Sequence, residues 1–195
     1  MATAKNFRLI ENYIYLYNID QFAIIPVYPD SISDSMSASF AQTAPLARSA
    51  PIYSYQSSGP RVVRFSITLH RDMFYQINWE NSTLQTDMSN DYVDTLVNRL
   101  QACALPQYSS AEKMVDPPMV AVRFGNDIYI KGVVTGSVSV DYSPPILETN
   151  KYAVVTIGFE VSEVDPYDAS MVAQVGSFRG LDKSLERRLG RIGSR

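Results

Sequence analysis

Between Ile128 and Tyr142 the side chains alternate with a period of two. Ile128, Ile130, Val134, Val138, Val140 and Tyr142 share one parity with Gly132 and Gly136, while Lys131, Thr135, Ser137, Ser139 and Asp141 hold the other. Such a period is that of a strand with one buried face. From Tyr152 to Val164 the pattern returns, with Ala153, Val155, Ile157, Phe159 and Val161 set against Thr156, Glu160 and Ser162. The link from Ser143 to Asn150 holds Pro144 and Pro145, which cannot donate to a ladder, among other turn formers. The two runs predict one long antiparallel hairpin, and a hairpin of that length needs a surface to lie against.

Earlier in the chain, Phe7 to Tyr28 is apolar and aromatic and ends on Pro26 and Pro29, which predicts strands. Ser31 to Phe40 places serine at each odd position opposite Ile32, Met36, Ala38 and Phe40, the pattern of an edge strand with a weakly apolar face. Ala41 to Pro60 holds Pro45, Pro51 and Pro60 and lacks a helical period, so it reads as a surface loop or as an arm that orders against a partner. Val63, Phe65, Ile67 and Leu69 alternate with Arg64, Ser66, Thr68 and His70 in a clear strand. Met73, Phe74, Ile77 and Trp79 are candidates to cover an open end of the core.

A helix is predicted at about 90–104. Asn90 and Asp91 offer its N-cap, and Tyr92, Val93, Leu96, Val97, Leu100, Cys103 and Ala104 follow at helical intervals until Pro106 stops it. Met119 to Phe124 predicts a further strand, and Gly125-Asn126-Asp127 the turn into the long run. The implied class is mainly β with one packed helix, an antiparallel β-sandwich or half-barrel. Residues 1–170 form that domain, and 171–195 a basic C-terminal arm.

The arm changes the charge picture. Residues 179–195 carry six basic and two acidic side chains, a net +4, leaving −7 on the rest of a chain whose total is −3. Leu181, Leu185, Leu189 and Ile192 make a narrow helical stripe within it. A basic segment on an acidic body predicts contact with an acidic surface, most simply that of a neighbouring copy. The overall balance gives no drive towards nucleic acid or anionic membrane, and no run reaches the length of a membrane span. The first residues lack the apolar stretch of a secretory signal, so synthesis in a cytoplasm is expected. Thirteen tyrosines suit sheet surfaces and subunit contacts.

Catalytic chemistry is sparse. His70, the single histidine, lies at the polar parity of a strand end, and Cys103, the single cysteine, lies on the apolar stripe of the helix. Asp87, Asp91 and Asp94 lack calcium-loop spacing and suit a helix start. Gly59-Pro60-Arg61 is no phosphate loop, because proline removes a backbone donor. No enzyme, cofactor or metal site is expected. An alternative reading is a carbohydrate- or peptidoglycan-binding module, with Trp79 and nearby Phe74 and Tyr75 as its platform.

Several motifs carry a resemblance. Arg48-Ser-Ala-Pro-Ile-Tyr53, Ser58-Gly-Pro-Arg61 and Phe65 to Asp72 precede the helix. After it come Pro117 to Gly125, Ile128 to Val134, Val138 to Tyr142 and Val154 to Val164. Over roughly residues 20–165 this order resembles the tail-tube-like domain of baseplate and tube-initiator adaptors in contractile-tailed bacteriophages. Other members append a peptidoglycan-binding LysM module; the basic arm is expected in its place here. The resemblance implies a virion structural protein that joins the baseplate hub to the tail tube, with tube, hub and wedge proteins as neighbours. It further implies a homohexameric ring in which long hairpins sit side by side as a barrel for passing DNA. Lys131, Thr135, Ser137, Ser139, Asp141, Thr156 and Glu160 are then expected to line the channel. Arg48, Arg61, Leu181, Leu185, Arg187, Arg188 and Leu189 are expected at subunit contacts.

Overall fold

The computed structural model describes residues 12–46, 49–71, 92–106, 118–165, 169–173, 184–185 and 187–188. Ten strands and one long helix organise them: β1 (Asn12–Leu16), β2 (Gln21–Ile24), β3 (Ser31–Ser35), β4 (Ala38–Thr43), β5 (Ile52–Ser58), β6 (Val62–His70), α1 (Tyr92–Ala102), β7 (Met119–Phe124), β8 (Ile128–Val134), β9 (Ser139–Ile146), β10 (Tyr152–Glu163), and a short α2 (Ala169–Ala173). The fold is mostly antiparallel β with one packed helix, as the periodicity implies. Eight strands form a single continuous sheet in the order β2-β1-β7-β8-β10-β6-β3, with β9 also on β10, and the sheet does not close into a barrel.

One face of this sheet is the core. Ile14, Leu16, Val63, Ile67, Leu69, Val120, Val122, Ile130, Val155, Ile157 and Val161 are buried there against Val93, Leu96, Val97 and Leu100 of α1. Every second residue of β6 and β10 points inward because a strand presents alternate side chains to one face. The helix is pinned at both ends. The Tyr92 hydroxyl donates to the Ile24 carbonyl, and Arg99 donates to the Phe22 carbonyl at 3.0 Å. Asp94 accepts from Arg71 at 2.7 Å and from Lys151 at 2.5 Å, which ties α1 to the start of β10. Burial alone would raise the Asp94 carboxyl, but those two cationic donors overcome it and hold it below the usual carboxylate range.

The run from Ile128 differs from the expected hairpin. It divides into β8 and β9, which lie end to end along one edge of β10. Val134 sits opposite Val161 and Ser139 opposite Gly158, so residues 135–138 on one side face only residues 159–160 on the other. Two extra residues therefore bulge out between β8 and β9, which leaves parity unchanged while bending the strand. Gly132 is required beside the bulge, since a Cβ there would fall 1.9 Å from the Ser162 carbonyl oxygen. The strand also continues through Pro144 and Pro145, which the sequence places in the turn. A register shift opposite Tyr152 and Val154 takes up the residue that the prolines leave out of the ladder.

Residues 41–60, read as a surface loop or an arm, hold most of an exposed hairpin arm. β4 and β5 form a separate two-stranded hairpin that extends the β3–β6 pair beyond the body. Nearly every side chain on it is exposed, including Phe40, Tyr53 and Tyr55, the last at 61 %.

Candidate functional site

Four strands, β9, β10, β6 and β3, make a ribbon whose face away from α1 is polar. Register sets its side chains in rows. Ser31, Ser66, Gly158 and Ser139 form one row, Ser33, Arg64 and Glu160 a second, and Thr68, Thr156 and Asp141 a third. Beside the second row the bulge brings in Thr135, whose hydroxyl lies 3.3 Å from Glu160 Oε1 and 2.8 Å from Ser162 Oγ. A groove of about 490 Å³ opens here, lined in part by Ser31, Ser33, Ser137 and Ser139. Of the expected channel residues, Thr135, Ser137, Ser139, Asp141, Thr156 and Glu160 thus share one surface. Lys131 stands apart on β8, its Nζ 5.4 Å from the Tyr17 ring centroid.

The charges on the ribbon are held in place. Arg64 Nε donates to Glu160 Oε2 at 2.7 Å, and Thr68 donates to Asp30 at 2.5 Å. The bond from Arg64 holds the Glu160 carboxyl below its ordinary range, and the same bond raises the guanidinium. Among the described residues both edges of the ribbon are open, β3 pairing only with β6 and β9 only with β10.

Arg61 differs from its expected place at a subunit contact: it is 2 % exposed and lies inside the subunit. Its Nε and Nη2 grip the two Asp34 oxygens at 2.9 and 2.7 Å, and Nη1 donates to the Tyr129 carbonyl at 3.1 Å. Glu163 Oε2 is 3.6 Å away, and the Glu163 amide donates to the Arg61 carbonyl at 2.9 Å. The planar fork of arginine thus joins β3, β8 and β10 at the root of the arm. Burial pushes the Glu163 carboxyl from 4.5 to about 7; the charge of Arg61 opposes this, while Asp165 and Asp34 add to it.

A measurable pH dependence follows. Between about 4.5 and 7 the folded chain binds more protons at Glu163 than the unfolded chain, so this residue's contribution to stability falls as pH rises through that window. We expect Glu163→Gln to remove a decline of about 2–3 kcal/mol from urea-unfolding free energies measured across those pH values. Asp20, Asp94 and Glu160 have lowered carboxyls, so they act with the opposite sign and below this window. A parent protein with a flat profile there would rule the effect out.

The C-terminal contacts also lie within one chain. Leu185 is 2 % exposed and packs with Tyr13, Tyr15 and Ala121 on the sheet face opposite α1. Arg188 donates to the Tyr15 hydroxyl at 2.8 Å and to Asp20 at 2.6 Å. The acidic group that meets Arg188 therefore belongs to the same body. Arg187 is exposed. Arg48, Leu181, Leu189 and the Trp79 platform lie outside the described residues. His70 is exposed at the end of β6, and the buried Cys103 thiol is pushed up to about 12, which removes its thiolate at neutral pH. No group of three or more metal-ligating side chains occurs among the described residues.

Sequence reasoning missed the arm's aromatic face. Phe40 and Tyr55 meet edge to face at 5.6 Å, with Tyr53 on the same parity. The available signal was the alternation of Tyr53 and Tyr55 with serines, bounded by Pro51 and Gly59.

No family model matches the chain, and no curated protein matches it. Among solved structures, the chain is similar to one in the tail of an empty gene transfer agent particle, determined with C6 symmetry. Identity is 14 % and the TM-score 0.41, with 85 % of this chain and 100 % of that one covered. A chain of the native gene transfer agent virion aligns at 10 % identity and a TM-score of 0.37, covering 87 % of this chain and 100 % of that one.

Proposed function

We propose that this chain is a structural subunit of a phage-type contractile tail, and that copies of it join side by side into a ring around a DNA channel. The observation that carries the reading is the ribbon β9-β10-β6-β3: one face is packed on the core, the other is polar and lined with small residues, and both edges are unpaired among the described residues. An open edge is a template for another strand, and β3 of one copy against β9 of the next is a heterologous contact that can close into a ring.

Size supports several copies. Strands about 4.8 Å apart and tilted by about 40° give a barrel whose diameter grows by about 2 Å per strand. Three copies of four strands would leave about 14 Å inside their side chains, too narrow for a duplex of about 20 Å, whereas six would leave about 38 Å. In this reading six copies sit at the junction of hub and tube. The arm reaches a neighbouring copy or ring, and the virion is where the protein resides.

Cysteine pairing tests the edge contact. One of Ser31, Ser33 or Ser35 is changed to Cys together with one of Ser139, Asp141 or Ser143. Oxidation of the assembled protein should yield a ladder of covalent oligomers ending in one closed species. Linkage confined to single chains in all nine combinations, under conditions where the protein stays folded, would overturn the side-by-side ring.

A further inference from the structure

We propose that Glu160 masks Arg64, so that the polar face of the ribbon offers no free arginine to a phosphodiester polyanion, and that removing Glu160 turns the groove beside it into a DNA-holding site. The inference rests on the channel reading and assigns the residue pair that keeps such a channel from gripping its cargo.

Position comes first. Arg64 is the one arginine or lysine on the polar face of β3, β6, β9 and β10 among the described residues, and its side chain is 61 % exposed. Lys131 lies on β8 beside Tyr17, and Arg61 is buried on the other face. A guanidinium at this place is the group that a passing phosphate would find, since arginine's planar fork matches phosphate oxygens. The groove next to it is lined by Ser31, Ser33, Ser66, Ser137 and Ser139 together with Ile32, Phe65 and Phe159, and among the described residues Arg64 and Glu160 are its only charged lining residues.

Glu160 is built to occupy that guanidinium. It faces Arg64 directly across the β6–β10 pair, and the two meet at 2.7 Å. Its second oxygen is steadied by Thr135, which the Ser162 hydroxyl steadies in turn. The carboxylate is thus held from two directions, by Arg64 of β6 on one oxygen and by Thr135 of the bulge on the other. As an exposed ion pair it contributes little to stability. Its effect is on the field of the face: Asp30, Asp141 and Glu160 against Arg64 leave an acidic surface that repels phosphate.

Binding of a fluorescent 20-base-pair DNA duplex to the purified full-length chain tests this at several salt concentrations. Glu160→Gln should tighten binding by about threefold to tenfold at low salt and steepen the salt dependence by about one released counterion per subunit. Glu160→Gln combined with Arg64→Gln should return to the parent's weak binding. The exchanged pair Arg64→Glu with Glu160→Arg should do the same, since the cation is again covered. Near-ultraviolet circular dichroism verifies that each variant is folded, and sedimentation gives its oligomeric state. A folded Glu160→Gln protein that binds DNA no better than the parent overturns the masking and leaves the ring untouched. Failure to form a ring would sink the channel reading and leave this binding measurement intact.

Discussion

Arg61→Ala lowers the unfolding free energy by about 3–5 kcal/mol, because it removes the guanidinium that Asp34 and Glu163 share in a largely buried cluster. The side chain is 1 % exposed, its partners Asp34 and Glu163 are 29 % and 5 % exposed, and three strands converge on it. Arg61→Lys recovers only part of the loss, since an ammonium cannot hold both Asp34 oxygens in the fork geometry and reach the Tyr129 carbonyl as well. Urea unfolding at pH 7 followed by far-ultraviolet circular dichroism measures both. A loss below about 1 kcal/mol for Arg61→Ala would show that the site takes in water and that the node is not a strut. A variant with Arg61→Met, Asp34→Leu and Glu163→Leu should regain much of the stability, because apolar groups of similar volume can replace a buried ionic cluster.

Removing residues 38–58 abolishes assembly and leaves the body folded. The arm has almost no buried side chain, so its loss takes nothing from the core. Its two ends already meet: the Gly59 amide donates to the Ser37 carbonyl at 2.8 Å, and an Asn-Gly turn between them closes the shortened β3–β6 hairpin. The stability of the body should change by less than about 1 kcal/mol. Assembly should be lost, because the exposed rings of Phe40, Tyr53 and Tyr55 bury their apolar area only against another molecule. Sedimentation and negative-stain imaging of the shortened protein decide the matter. Rings of normal size would show that the arm makes no contact needed within a ring.

The two outcomes separate parts of the molecule with different legibility. β6, β10 and α1 could be read residue by residue, because each buries a stripe that repeats at the period of its own backbone. The break between β8 and β9 could not, since two inserted residues preserve a period of two. The arm's alternation of Tyr53 and Tyr55 with polar residues marks no core stripe, because neither of its faces is buried within the chain. Its prolines dominated the reading, although they flank the strands without interrupting them.

The site divides in the same way. Lys131, Thr135, Ser137, Ser139, Asp141, Thr156 and Glu160 were grouped by their polar parity, and all but Lys131, which lies on β8 beside Tyr17, share the ribbon's surface. The placement of Arg61 and Arg188 was not legible. Arg188 meets Asp20 across 168 residues of sequence, and Arg61 meets Asp34 and Tyr129 from opposite directions along the chain. A charged residue looks the same in sequence at a surface as inside a buried cluster.

Which side of each strand a residue occupies was settled by the sequence itself, because side-chain direction follows from local backbone geometry. Strand order, the register across β10, the split of its partner into two strands and the choice of partner for each buried charge were settled only by the folded chain. Those features depend on groups far apart in sequence coming into contact, and no local period encodes which of them will meet.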